Sequence, residues 1–358
     1  MLKIFVLSLC AVISFAAEYK SSLKAGKAAL KSAGVMAFGP EGILFVGDSI
    51  GGSVYAFDTA DTKAAKASPF EVKGLNEKIA SMLGTTADQI LVNDVVVNPI
   101  SKNAYVSVSR GRGPEATPVL MRVLASGKIE EFNFAAAKHA SASLPNAPSA
   151  DAKDRRGQSL RQEAITDLAF VDGKLVIAGL SNEEFASNLR VIPFPFAQVD
   201  RGANVEIYHG QHGRFETASP VRTFLPYKVA GEQHILAAYT CTPIVKFPMS
   251  SLKPGSKVVG VTIAELGNRN RPLDMVAYSK DGANYILMNN SSRGVMKMPA
   301  AKLDTYTGIT SQTEKAGIPY ETIESLKGVQ HLDLLGDAHA MILVADGGTM
   351  DLKTIGLP

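Results

Sequence analysis

Asp94, Asp167 and Asp274 each stand immediately before a run of aliphatic and β-branched residues, in NDVVV, TDLAF and LDMVAY. If those runs are strands gathered side by side, their carboxylates converge, and converging carboxylates hold a hard cation such as calcium through oxygen ligands. Asn182, Glu183, Asn289 and Asn290 follow later apolar runs and would help to complete the roughly six to eight oxygens that such an ion takes. A second role competes with metal binding. An Asp at the head of a strand also accepts hydrogen bonds from nearby main-chain N–H groups in an Asx-turn, and so shapes the chain where the strand begins. Among proton-transfer candidates, Asp94 and Asp167 are joined by His331, whose imidazole could act as a general base or as a hydrogen-bonded structural group.

The elements that must position these groups are found as internal repeats. A short apolar run, a turn rich in Gly, Asp or Pro, a second apolar run, a polar tip and a third strand recur six times. The copies begin at Val35, Asn93, Thr166, Tyr227, Leu273 and Gln330. VMAFGPEGILFVGDSIGGSVYAFD and TDLAFVDGKLVIAGLSNEEFASNLRVIPF show the pattern most clearly. Their spacing lies around the roughly 40 to 50 residues of a four-stranded propeller blade. Segments such as Lys257 to Leu266 and Lys128 to Asn133 supply room for the fourth strand. The expected fold is therefore all-β, a single propeller of six blades of about four strands, closed by pairing N- and C-terminal strands. Tyr19 to Leu30 is the expected closing strand, because the last copy ends after three. One short amphipathic helix is expected within Leu75 to Gln89, where Leu75, Ile79 and Leu83 recur at helical spacing.

In such a ring the start of each first strand and the end of each second strand lie on one face. Asp94, Asp167, Asp274 and His331 should then surround one mouth together with Arg110, Asn182, Glu183, Asn290 and Asp346. Residues 135 to 163 form a long segment rich in Ala, Ser, Pro and charge, read as a loop able to act as a lid. It would bring Arg155, Arg156 and Arg161 toward an anionic ligand.

The 46% hydrophobic and 20% charged composition suits a folded chain with a large core. The net charge of +3, without a basic stripe, gives no footprint for nucleic acid. Residues 1 to 16 have the layout of a signal peptide cleaved after Ala16, which predicts an exported protein, secreted or periplasmic, with the propeller over residues 17 to 358. The apolar run is too short to span a bilayer, so no membrane span is expected after cleavage. Loss of Cys10 leaves Cys241 as the sole cysteine, which excludes an internal disulfide. The chain has no C-x-x-C-H, H-E-x-x-H or P-loop motif, and no Trp.

The copies beginning at Val35 and Thr166 resemble blade motifs of the six-bladed propeller superfamily that includes NHL-repeat proteins and gluconolactonase-type calcium-dependent hydrolases. The resemblance covers most of the chain and lies in fold motifs. It implies calcium at the channel, held by an acidic residue of the first blade and by Asn and Asp at later blades. Here Ala33, Gly34 and Val35 occupy the first of those places, and the Asp residues align one position later than that branch's ligands. Two functions follow. The first is a monomeric binding or scaffold module that holds a protein, peptide, glycan or small anionic ligand at the channel mouth. The second is a calcium-dependent hydrolase of a lactone, ester or phosphoester. The first leads, because the sequence carries no complete catalytic set.

Overall fold

The structure is a computed structural model and describes residues 19–358 apart from Thr242. The expected signal peptide and its cleavage site lie outside the described residues.

Six small antiparallel sheets form the molecule, one for each sequence copy. Numbered by the order of their first strands, blade 1 contains Met36–Phe38, Ile43–Asp48, Ser53–Asp58 and His139–Ser143. Blade 2 contains Ile90–Val97, Ala104–Arg110, Thr117–Val123 and Ile129–Glu131. The first strands of blades 3 to 6 are Asp167–Val171, Thr223–Val229, Pro272–Lys280 and Val329–Leu334. Both faces of each middle strand are covered, so ILFVGD of blade 1 is buried at every position. The alternation of a half-exposed strand is accordingly replaced by a continuous apolar run.

Six apolar clusters lie between neighbouring blades and define the ring. They join blades 1 and 3, 3 and 4, 4 and 5, 5 and 6, 6 and 2, and 2 and 1. Blade 2 therefore sits between the last blade and the first. The chain begins in blade 1, passes through Glu71–Val72 to pair with Thr349–Gly356 of blade 6, builds blade 2, and returns to add His139–Ser143 to blade 1.

This path corrects two expectations. Closure does join an early strand to the C-terminal one, but the early strand is Glu71–Val72; Tyr19–Ser22 is a 3-10 turn, and Lys24 makes an isolated bridge to His139 on blade 1. Val72 is buried at the joint of blades 6 and 2, whereas the 19 to 30 segment packs around blade 1, with Leu23 in the cluster shared with blade 3 and Ala28 and Leu30 in that shared with blade 2. Residues 135 to 163 are likewise no free lid, because His139–Ser143 is the outer strand of blade 1. Arg161 pins the remainder by donating from Nη1 to the Pro148 carbonyl at 2.6 Å and from Nε to that of Ile50 at 3.2 Å.

The predicted helix is present as Leu75–Met82, with Leu75 and Ile79 buried at the joint of blades 6 and 2. Asn76 secures that joint: its Nδ2 donates to the Gly348 carbonyl at 3.0 Å and its Oδ1 accepts from the Met350 N–H at 2.9 Å. No helix among the described residues is long and apolar enough to cross a membrane.

Candidate functional site in the axial channel

The first strands line the axis, and they place their carboxylates at the joints between blades. Asp94 Oδ2 accepts the Met36 N–H of blade 1 at 2.6 Å, while its Oδ1 accepts the N–H of Val95 at 2.7 Å. Asp167 repeats the pattern, with Oδ2 on the Phe224 N–H of blade 4 at 2.7 Å and Oδ1 on Leu168 at 2.8 Å. Asp274 Oδ2 accepts the Leu332 N–H of blade 6 at 2.9 Å. Asp333 Oδ2 in turn accepts the Val97 N–H of blade 2 at 2.7 Å, and its Oδ1 that of Leu334 at 2.7 Å. Four aspartates thus latch one blade to the next. Two of them, Asp333 and Asp94, fasten blade 2 on either side.

His331 stands where the other copies carry Asp, with Nδ1 3.3 Å from Asp274 Oδ2 and 3.7 Å from Asp94 Oδ1. Burial alone would lower its pKa, but the Asp274 charge and hydrogen bond, the Asp94 charge and the Val92 carbonyl raise it. Burial pushes Asp94 up to about 7, aided by the Asp274 charge and opposed by His331 and the two main-chain donors. Asp333 rises to about 6, chiefly through burial, against the N–H groups of Val97 and Leu334. Burial also holds Asp167 well above the ordinary carboxylate range, opposed by the Phe224 N–H and reinforced by the Asp94 and Asp274 charges. Protons are therefore bound in this channel near neutrality.

A cavity of about 420 Å³ runs from these groups to the turns that join first and second strands, at Pro99, Lys102, Gly336 and Asp337. Its deep end carries Asp94, Asp167, Asp274 and Asp333; Phe38, Phe170, Phe224 and Leu225 contribute its apolar wall. None of Arg110, Asn182, Glu183, Asn290 and Asp346 lines it. These turns follow the C-terminal ends of the first strands, whereas the predicted mouth lies at the strand starts, so the cavity reaches the face opposite that mouth.

The remaining predicted residues have separate surroundings. Glu183 accepts from Asn146 Nδ2 at 3.0 Å and Asn204 Nδ2 at 2.7 Å, within a polar network that includes the fully buried Arg190. Asn182 donates its main-chain N–H to the Asn146 carbonyl at 2.8 Å. Asn290 donates to Asn270 Oδ1 at 2.9 Å and lines a second cavity of about 450 Å³ between blades 5 and 6, with Arg293, Tyr320 and Gln330. Arg110 ends a strand of blade 2 and Asp346 one of blade 6, both exposed. Cys241 is a half-buried free thiol in a turn with φ of 63°.

Of the expected metal set, Asp94 and Asp274 come together with His331, their ligand atoms within 4.8 Å of one another, and Asp167 stands outside that group. Asp333 is the channel residue that sequence reasoning missed. Its signal is the pair His331 and Asp333 in QHLDLL, two residues apart and therefore on one face of a strand.

No protein-family model and no curated protein matches the chain. Among solved structures, similarity is found to Drosophila Plexin A in complex with Semaphorin 1b, at 9% identity and a TM-score of 0.39, over 94% of this chain and 87% of that one. A GH43 glycoside hydrolase gives 10% identity and a TM-score of 0.38, over 81% of this chain and 52% of that one. The PQQ-bound aldose sugar dehydrogenase of Streptomyces coelicolor gives 10% and 0.32, over 92% and 95%. These are resemblances of overall fold, and no site residue is carried over from them.

Proposed function

We propose that this propeller is a binding module whose ligand enters the axial cavity and carries a positive charge on an apolar body. The supporting observation is the cavity itself, with aromatic and aliphatic walls above a deep end of four aspartates. An apolar wall favours desolvation of a hydrophobic group, and a concave site with a few convergent polar groups fixes its orientation. Carboxylates in such surroundings attract a cation strongly and repel an anion.

Calcium-assisted hydrolysis is the weaker reading. Calcium takes oxygen ligands, whereas the carboxylates that converge here, Asp94 and Asp274, face the imidazole of His331. Their Oδ2 atoms already accept main-chain N–H groups that hold the blades together, and Asp94 Oδ1 accepts a third. Protonated His331 can itself supply the positive charge between them. The residues present therefore do not fit a calcium centre well.

The test compares two probes of similar size and opposite charge, benzyltrimethylammonium and benzoate, by thermal shift. The ammonium should raise the melting temperature, since a ligand that binds the native state stabilises it. Benzoate should not, and Asp333→Asn should diminish the ammonium shift. Equal shifts from both probes, or no shift from the ammonium, would remove this reading.

A further inference from the structure

In blade 3, the sequence HGQHGRFE, none of whose residues lines the axial cavity, places two imidazoles and a carboxylate across one tight hairpin. The fourth strand, Ala203–His209, ends at His209; a 3-10 turn, Gly210–His212, carries His212; the returning strand, Arg214–Glu216, ends at Glu216. His209 Nδ1 lies 2.9 Å from Glu216 Oε2, and His212 Nδ1 lies 2.7 Å from Glu216 Oε1. One ligand atom from each residue falls within 4.8 Å of the others. The two rings are 4.1 Å apart between centroids.

We infer that His209, His212 and Glu216 form a binding site for a first-row transition-metal dication of the zinc type. Two imidazoles and one carboxylate are a ligand set that zinc accepts, leaving a fourth position for water or another ligand. Two atoms each about 2.1 Å from one ion stand roughly 3 Å or slightly more apart, so the present separations need only a small widening.

The ligand set is anchored in the fold. His209 is only 3% exposed, at the buried end of its strand. The hairpin is held from both sides before any ion arrives. Glu265 Oε1 accepts the Gly210 N–H at 2.5 Å, and the Gly210 carbonyl accepts from the Thr313 N–H at 3.0 Å. A side chain at position 210 would meet Glu265 Cγ at 2.9 Å, which accounts for the glycine between the two histidines. Solvent reaches the site from the His212 side, whose side chain is 43% exposed against 13% for Glu216. Arg214 Nε contacts Glu216 Oε1 at 3.2 Å, but that side chain is 71% exposed and free to swing outward when a dication takes its place.

The test uses the purified chain without an affinity tag. Zinc is titrated by calorimetry and cobalt by visible absorption, in wild type, His212→Ala and Glu216→Gln. Wild type should bind one equivalent of zinc, and cobalt should give the visible bands of a low-coordinate nitrogen and oxygen site. Each substitution should weaken zinc binding by about tenfold or more, and the bands should fade. His212 lies at the surface, so His212→Ala should keep the wild-type melting temperature in the absence of metal; Glu216 is largely buried, so circular dichroism is used to check that Glu216→Gln is folded. Absence of stoichiometric binding by the wild type, or binding and bands that survive both substitutions, would overturn the site.

Discussion

At the scale of single residues, the channel aspartates are latches as much as a potential ligand surface. Asp167→Ala leaves the N–H groups of Phe224 and Leu168 without their acceptor, at about 1–3 kcal/mol for each donor stranded in the interior. Urea unfolding should show that loss, and a change below about 0.5 kcal/mol would mean that neither bond matters. The same residues set a dependence on pH. Asp94 and Asp333 have folded pKa values raised to about 7 and about 6, above their unfolded values, and that of His331 is raised too. A group of this kind contributes stability that is fully present below its unfolded pKa and is lost as the pH rises through its folded one. The melting temperature should therefore fall between about pH 5 and pH 8, and less steeply in Asp94→Asn. An increase over that interval would contradict the assignment. The main-chain hydrogen-bonding role of Asp94, Asp167 and Asp274 was legible in the sequence; the head-of-strand position holds for Asp167, whereas Asp94 lies in the middle of Ile90–Val97 and Asp274 lies inside Pro272–Lys280. The partners were not legible, because the accepted N–H groups lie 58, 57 and 58 residues away, and 236 for Asp333.

At the scale of elements, the repeated apolar runs disclosed the strands, most clearly the second run of each copy, which matches a strand largely buried on both faces. Departures occur where close contacts overrule the pattern. Lys257 to Leu266 reads as one strand, yet it is split at Gly260, where a side chain would meet Val245 and Phe247 at 2.4 Å. Lys257–Val259 pairs in parallel with blade 3, and Val261–Leu266 becomes the fourth strand of blade 4. The closing strand was missed for another reason: Glu71–Val72 is only two residues long, too short to show any periodicity. Its hold is reinforced by Asn76, so Asn76→Ala should cost about 1–3 kcal/mol and should speed hydrogen exchange in residues 349 to 356. Unchanged exchange there would show that the seam is secured without it.

At the scale of the whole molecule, composition and repeats were enough to indicate a six-bladed ring, but not the order of blades around it. Sequence copies carry no record of which neighbour each will face; that is decided by packing, here by the apolar clusters that seat blade 2 between blades 6 and 1. This arrangement brings Asp333 and Asp94 to the two sides of the inserted blade and gathers four carboxylates at one end of an apolar-walled cavity. If those carboxylates recognise a cation, affinity must follow their ionisation. The decisive measurement is calorimetric titration with benzyltrimethylammonium, whose own charge does not vary with pH, from about pH 5 to about pH 8. Binding should tighten across that range as Asp333 and Asp94 lose their protons near 6 and 7. Affinity that stays level, or weakens as the pH rises, would contradict an acidic channel built to hold a cation.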